Sequence, residues 1–185
     1  MIDQIPKLIF FIGFMGSGKS HEGALLAAHL GLPFIDLDQW IEAQQGRTIS
    51  AIFKDDGENV FRSIEASALH QAANDLLSQE SAIHTSHKFV GVIATGGGTP
   101  CFHGNIEWMN ANGVTIWLNL SVDILVNRLR QEKKKRPLIA ELNDDQLYEF
   151  IEDKLKERYP YYSKSIITIH EVVDILSLTQ KVIHA

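Results

Sequence analysis

The run Gly13-Phe14-Met15-Gly16-Ser17-Gly18-Lys19-Ser20 satisfies the pattern G-x-x-x-x-G-K-[ST], and the apolar run Leu8 to Ile12 comes directly before it. Residues of these types at this spacing bind the phosphates of a nucleotide. Glycines let successive backbone N–H groups turn inward, and the N-terminus of a helix starting near Lys19 adds partial positive charge. Gly16, Ser17 and Gly18 shape the loop, and Lys19 should reach the β- and γ-phosphates. Ser20 should place its hydroxyl on Mg²⁺, whose other ligands are phosphate oxygens, waters and a nearby carboxylate.

A second set of candidates follows two later apolar runs. Asp36 and Asp38 stand at the end of Phe34-Ile35-Asp36-Leu37, where an open parallel sheet binds its ligands. Asp36 could serve the hydration shell of Mg²⁺. Asp38 could accept hydrogen bonds from a substrate hydroxyl and take its proton in a phosphoryl transfer, or it could cap a helix that starts there. Gly96-Gly97-Gly98 follows Val90 to Thr95, so bare backbone can approach a ligand closely. Arg62 lies near the start of a helix whose apolar side carries Leu69, Ala72, Ala73 and Leu76. It is either a surface cation or a ligand clamp, and periodicity does not choose between them.

The elements that must hold these residues are legible as short apolar runs separated by helical spacing. Leu8–Ile12, Phe34–Leu37, Phe89–Ala94, Val114–Leu118 and Ile166–Ile169 read as strands, which implies an α/β layered fold. Gly31 with Pro33 should close the first helix, and Gly113 should follow the one around Trp108 and Met109. Ser121 should cap the helix carrying Leu125 and Leu129, and Pro160 should end the helix from Asp144. Gln131 to Pro137, a charge run, and Ser78 to Lys88, a polar stretch with His84 and His87, read as loops. The two histidines lack a carboxylate or thiol partner and read as solvated residues, not metal ligands.

Composition sets outer limits. The chain has 185 residues, with 17 Lys and Arg against 23 Asp and Glu, a formal charge of −6. That balance recruits neither nucleic acid nor an anionic membrane, so any anion must be held by local groups. The single cysteine, Cys101, cannot form an intrachain disulfide, and the first apolar run is too short for a signal peptide or a membrane span. The expectation is a cytoplasmic, monomeric protein of one domain, residues 1–185.

The motifs in their order resemble the shikimate kinase family over nearly the whole chain. The resemblance rests on the phosphate loop, the Asp36-x-Asp38 pair and Gly57-Glu58 leading into Phe61-Arg62 and Glu65. It continues through Gly96-Gly97-Gly98, Arg136-Pro137-Leu138 and Glu157-Arg158-Tyr159-Pro160-Tyr161-Tyr162. It implies a P-loop kinase fold, a five-stranded parallel sheet of order 2-3-1-4-5 flanked by helices. Acceptor-binding helices would occupy about 38–78, and a mobile lid about 131–142. The implied activity is ATP- and Mg²⁺-dependent phosphorylation of the shikimate 3-hydroxyl.

By matching positions, Asp38, Arg62, Gly97 and Arg158 would hold shikimate, with Gly96, Gly98, Phe53, Phe61 and Glu65 around it. Asp36 would support Mg²⁺ beside Ser20, Arg136 would belong to the lid closing over ATP, and Arg128 would pack against adenine. An acid carrying several hydroxyls suits this set, since guanidinium forks match its carboxylate and an aspartate accepts from its hydroxyls. The sequence departs from the family pattern at His21, where threonine is usual, and at Gly23-Ala24, where glycine-arginine is common. The His21 imidazole could donate to an α-phosphate oxygen or turn to solvent. A kinase resembling gluconate kinase and a catalytically silent P-loop binder are the competing readings.

Overall fold

The computed structural model describes residues 7–79, 88–133, 136–171 and 174–185. Its five strands are β1 (Lys7–Gly13), β2 (Phe34–Asp36), β3 (Phe89–Ala94), β4 (Gly113–Leu118) and β5 (Ile167–Ile169). They form one parallel sheet in the order β2-β3-β1-β4-β5, as the family resemblance implied. β1 lies between β3 and β4, with Phe10 opposite Ile93 on one side and Thr115 on the other. Chain order thus reverses at β1, and the loop that leaves it sits at the switch point of the sheet.

The residues of β1 explain its central place. Leu8, Phe10 and Ile12 pack into one core and Ile9 and Phe11 into another, all fully buried. A strand apolar on both faces needs helices on both sides. One side is covered by α1 (Lys19–Leu30) and α8 (Ile175–Ile183). The other is covered by α4 (Glu58–Gln79) and α5 (Asn105–Asn112). Two short helices, α2 (Leu37–Gln45) and α3 (Ile49–Asp56), pack on α4, while α6 (Val122–Glu132) pairs with α7 (Asp144–Tyr162) around Phe14, Leu129 and Leu147.

Several limits agree with the sequence. Gly31 ends α1 in the left-handed region at φ 67°, and Ser121 caps α6 by accepting from the Ile124 N–H. Others do not. Asp36, not Asp38, is the N-cap of α2, its carboxylate accepting from Gln39 N at 3.2 Å. α4 begins at Glu58, ahead of Phe61, and runs on to Gln79, so Ser78 is helical and not the start of a loop. Gln131 and Glu132 belong to the last turn of α6. Pro160 lies inside α7, because the helix continues to Tyr162, whose buried side chain is tied to Gly97. One lost N–H near a helix end is tolerated when tertiary contacts hold the turn beyond it. α3 and α8 had no distinct sequence signal. His84 and His87 lie outside the described residues. Among the described residues, no helix is long and apolar enough to cross a membrane.

Candidate active site

Because all strands are parallel, the loops after β1, β2 and β3 emerge at one edge of the sheet, and β2, β3 and β1 are neighbours there. The chain leaving these strands carries the glycine-lysine motif, the aspartate pair at the junction of β2 and α2, and the triple glycine. The first of the resulting clefts has a volume of about 500 Å³ and is lined by Gly16, Gly18, Lys19, Ser20, His21, Asp36, Asp38, Gly97, Arg128 and Arg136, among others. Gly16 and Gly18 adopt φ +76° and +101°, conformations that L side chains resist, and Gly18 leads directly into α1. Lys19 is buried and its Nζ donates to the Phe14 carbonyl at 3.0 Å. Ser17 Oγ is buried without a partner. Arg128 braces the loop from outside, donating from Nη1 to the carbonyls of Gly16 at 3.2 Å and Ser17 at 2.9 Å.

The second cleft, of about 590 Å³, is lined by every residue that the sequence reading assigned to the acceptor: Asp38, Phe53, Phe61, Arg62, Glu65, Gly96, Gly97, Gly98 and Arg158. Met15, Asp38, Gly97 and Arg136 line both clefts. Arg62 is not a surface cation: it is 8% exposed and lines the second cleft. Its Nη1 donates to Glu65 at 2.8 Å, its Nε and Nη2 donate to Glu58 at 3.2 and 3.0 Å, and its guanidinium lies 4.3 Å from the centre of the Phe102 ring. Glu65 is fully buried and also accepts from Thr99 Oγ1 at 2.6 Å. A Cβ at Gly96 would come within 2.7 Å of Glu65 Oε1 and 2.9 Å of Asp38 Oδ1, so only glycine leaves these carboxylates in place. Arg158 donates to the Gly97 carbonyl at 3.1 Å. Arg136 donates to Glu132 at 2.8 Å, one turn back along the chain.

Glu58 and Tyr162 entered the sequence reading only as members of the family motifs, without a role of their own, and Thr99 and Phe102 did not enter it. Glu58 carried a signal, its i,i+4 spacing to Arg62. Thr99 follows the glycine run directly but has no pattern of its own, and Phe102 meets Arg62 only through the fold.

The electrostatics suit an anion at the first cleft. Burial lowers the Lys19 pKa to about 8, opposed by Asp38 and Asp36. A phosphate beside it would favour the charged form. Asp38 is pushed the other way, up to about 6, by desolvation among the packed walls of the clefts, with Glu65 adding to the shift and Lys19 opposing it. Its side chain still meets solvent through the open cleft, and that water moderates the penalty until the cleft is filled. Burial works against the Arg62 charge, but Glu65 and Glu58 outweigh it and hold its pKa above the usual value. The orphaned Ser17 hydroxyl, the buried Lys19 and the left-handed glycines fit a nucleotide's phosphates. Among the described residues, no group of three or more His, Cys, Asp and Glu side chains could cage a metal. A cation here would rely on Ser20, Asp36, waters and phosphate oxygens, the usual coordination of Mg²⁺.

Comparison with known proteins agrees with the geometry. A crystal structure of shikimate kinase from Bacteroides thetaiotaomicron superposes with a TM-score of 0.79 at 36% identity, covering 96% of this chain and 95% of that one. A structure of shikimate kinase from Acinetobacter baumannii in complex with shikimate gives a TM-score of 0.76 at 31% identity, covering 98% and 93%. The shikimate kinase of Parabacteroides distasonis is 41% identical over 164 residues, 88% of this chain and 86% of that protein. With the shikimate kinase family model matching residues 15–184, the chain belongs to the shikimate kinase family.

Proposed function

We propose that this chain transfers the γ-phosphoryl group of ATP to the 3-hydroxyl of shikimate, forming shikimate 3-phosphate on the route to chorismate and the aromatic amino acids. The observation that carries this reading is the pair of adjoining clefts. One has a phosphate loop at its base and the other has Arg62 and Arg158, and Asp38, Gly97 and Arg136 line both. Phosphoryl transfer is mostly a matter of positioning and charge, and these residues supply both. Arg62 and Arg158 hold the acceptor's carboxylate, and Asp38 orients its hydroxyl and accepts the proton. Lys19 and Arg136 face the charge that develops on the transferring group. Ser20 and Asp36 would hold Mg²⁺, which neutralises phosphate charge when bound. His21 lines the donor cleft within reach of a nucleotide, and Arg128, while bracing the loop, would pack against adenine.

The catalytically silent alternative rests only on His21 and Ala24, and the cleft retains Lys19, Ser20, Asp38 and Arg136 against it. The gluconate-kinase-like alternative lacks the support that the second cleft gives to shikimate: two arginines set beside a glycine turn. We read the chain as a cytoplasmic monomer of one domain acting on a small molecule, with neither nucleic acid nor membrane as partner. Its acceptor helices span about 38–78, and a lid at about 131–142 closes over ATP. The test is ADP release from Mg²⁺-ATP with shikimate, with gluconate and with no acceptor. Stimulation by shikimate alone is expected, and equal release with all three would contradict the reading. Lys19→Ala and Arg136→Ala should each lower kcat by about 10³-fold with little change in shikimate affinity.

A further inference from the structure

Tyr162 lines neither cleft. It is fully buried at the end of α7, its ring packed on Trp117 of β4 with centroids 5.6 Å apart. Its hydroxyl donates to the Gly97 carbonyl, the same oxygen that accepts from Arg158. That peptide matters to both substrates. Gly97 faces the donor and acceptor clefts together, and a Cβ there would come within 3.3 Å of the Met15 backbone N. The triple-glycine turn is therefore seated directly on the phosphate loop.

We propose that Tyr162 is a positioning residue for the acceptor: it remains on the Gly97 carbonyl as a fixed donor and so frees Arg158 to turn its guanidinium to the acceptor's carboxylate. The proposal rests on the assignment of the second cleft to shikimate. Gly97 is partly buried, and a carbonyl shielded there that loses its last donor is costly, so an Arg158 serving as sole partner would be held back from the substrate. With two donors on one oxygen, the release of Arg158 leaves the carbonyl satisfied and the turn in place. Tyr162 is suited to be the donor that stays. Its ring is wedged in the core, and burial raises the pKa of its phenol, so the hydroxyl keeps its proton across the working range. Arg158 is less confined, partly exposed and otherwise resting 5.2 Å from the centre of the Phe14 ring.

The experiment measures kcat, KM for shikimate, KM for ATP and Tm for the wild type, Tyr162→Phe, Arg158→Ala and the double variant. Tyr162→Phe should raise KM for shikimate several-fold, up to about tenfold, the scale set by an unpaired, partly buried carbonyl. KM for ATP and kcat should stay within about twofold. Tm should barely change, because in the empty protein Arg158 still covers the carbonyl. In the Arg158→Ala background the same substitution should leave KM for shikimate within about twofold and lower Tm instead. An unchanged KM in Tyr162→Phe, an equal rise in both backgrounds, or a Tyr162→Phe chain that fails to fold would overturn the proposal. A wild type that turns over without using shikimate would remove the assignment of the cleft itself, and the role of Tyr162 with it.

Discussion

Arg62 shows how a single residue type stayed ambiguous in sequence and became definite in the fold. Its spacing to Glu58 and Glu65 was legible, but Phe102 meets it, and Thr99 meets its partner Glu65, only through tertiary structure. The guanidinium serves the fold as well as the acceptor role proposed for it. Arg62→Ala leaves Glu65 buried with its charge unpaired, so beyond weakening shikimate binding it should lower stability by about 3 kcal/mol. Arg62→Ala combined with Glu65→Gln should recover much of that stability in urea unfolding without recovering shikimate affinity. A single variant as stable as the wild type would show that the pair is not structurally important. The aspartates divide similarly: sequence left Asp38 between capping and chemistry, and the structure gives the cap to Asp36. With Asp38 raised to about 6 and Lys19 lowered to about 8, kcat/KM for shikimate should fall as pH drops through about 6. ATP affinity should fall as pH rises through about 8 and Lys19 loses its charge. Asp38→Asn should remove the acid limb of the profile, and an acid limb that persists would point to another group.

At the scale of elements, the strands were readable because β1, β3 and β4 are buried on both faces and so appear as largely apolar runs, broken in β4 only by the buried Thr115. Helix ends were less readable where tertiary contacts decide them. Pro160 is a stop signal by itself, yet Tyr162 and Arg158 tie the end of α7 to the glycine turn and carry the helix past it. One glycine has a consequence that sequence does not reveal. Gly113 is in ordinary extended backbone, but a Cβ there would run into the main chain of Leu8 on the neighbouring strand. Gly113→Ala should therefore force β1 and β4 apart, lower Tm by roughly 10 °C or more, and shift the phosphate loop that follows β1. Thermal melting with ATP titration checks both effects, and a wild-type Tm would mean that the strands adjust at no cost.

The whole molecule is acidic, yet it gathers Lys19, Arg62, Arg128, Arg136 and Arg158 around one edge of the sheet. Local concentration of cations, not net charge, makes the anion-binding surface, and it arises because a parallel sheet delivers its loops to one side. That arrangement was foreseeable once the phosphate loop and the strand pattern were read together. The joining of the clefts at Asp38 and Gly97 was not legible from the residues alone, since it depends on β2, β3 and β1 lying side by side, an order that only the family resemblance implied. Joined clefts mean direct transfer from donor to acceptor, and phosphorus NMR of a reaction containing protein, Mg²⁺-ATP and shikimate tests this most directly. The expected result is ADP and a single new phosphomonoester on the shikimate 3-oxygen in equal amounts, absent with Asp38→Asn or Lys19→Ala over the same time. ADP accompanied by inorganic phosphate, with shikimate left unmodified, would contradict it.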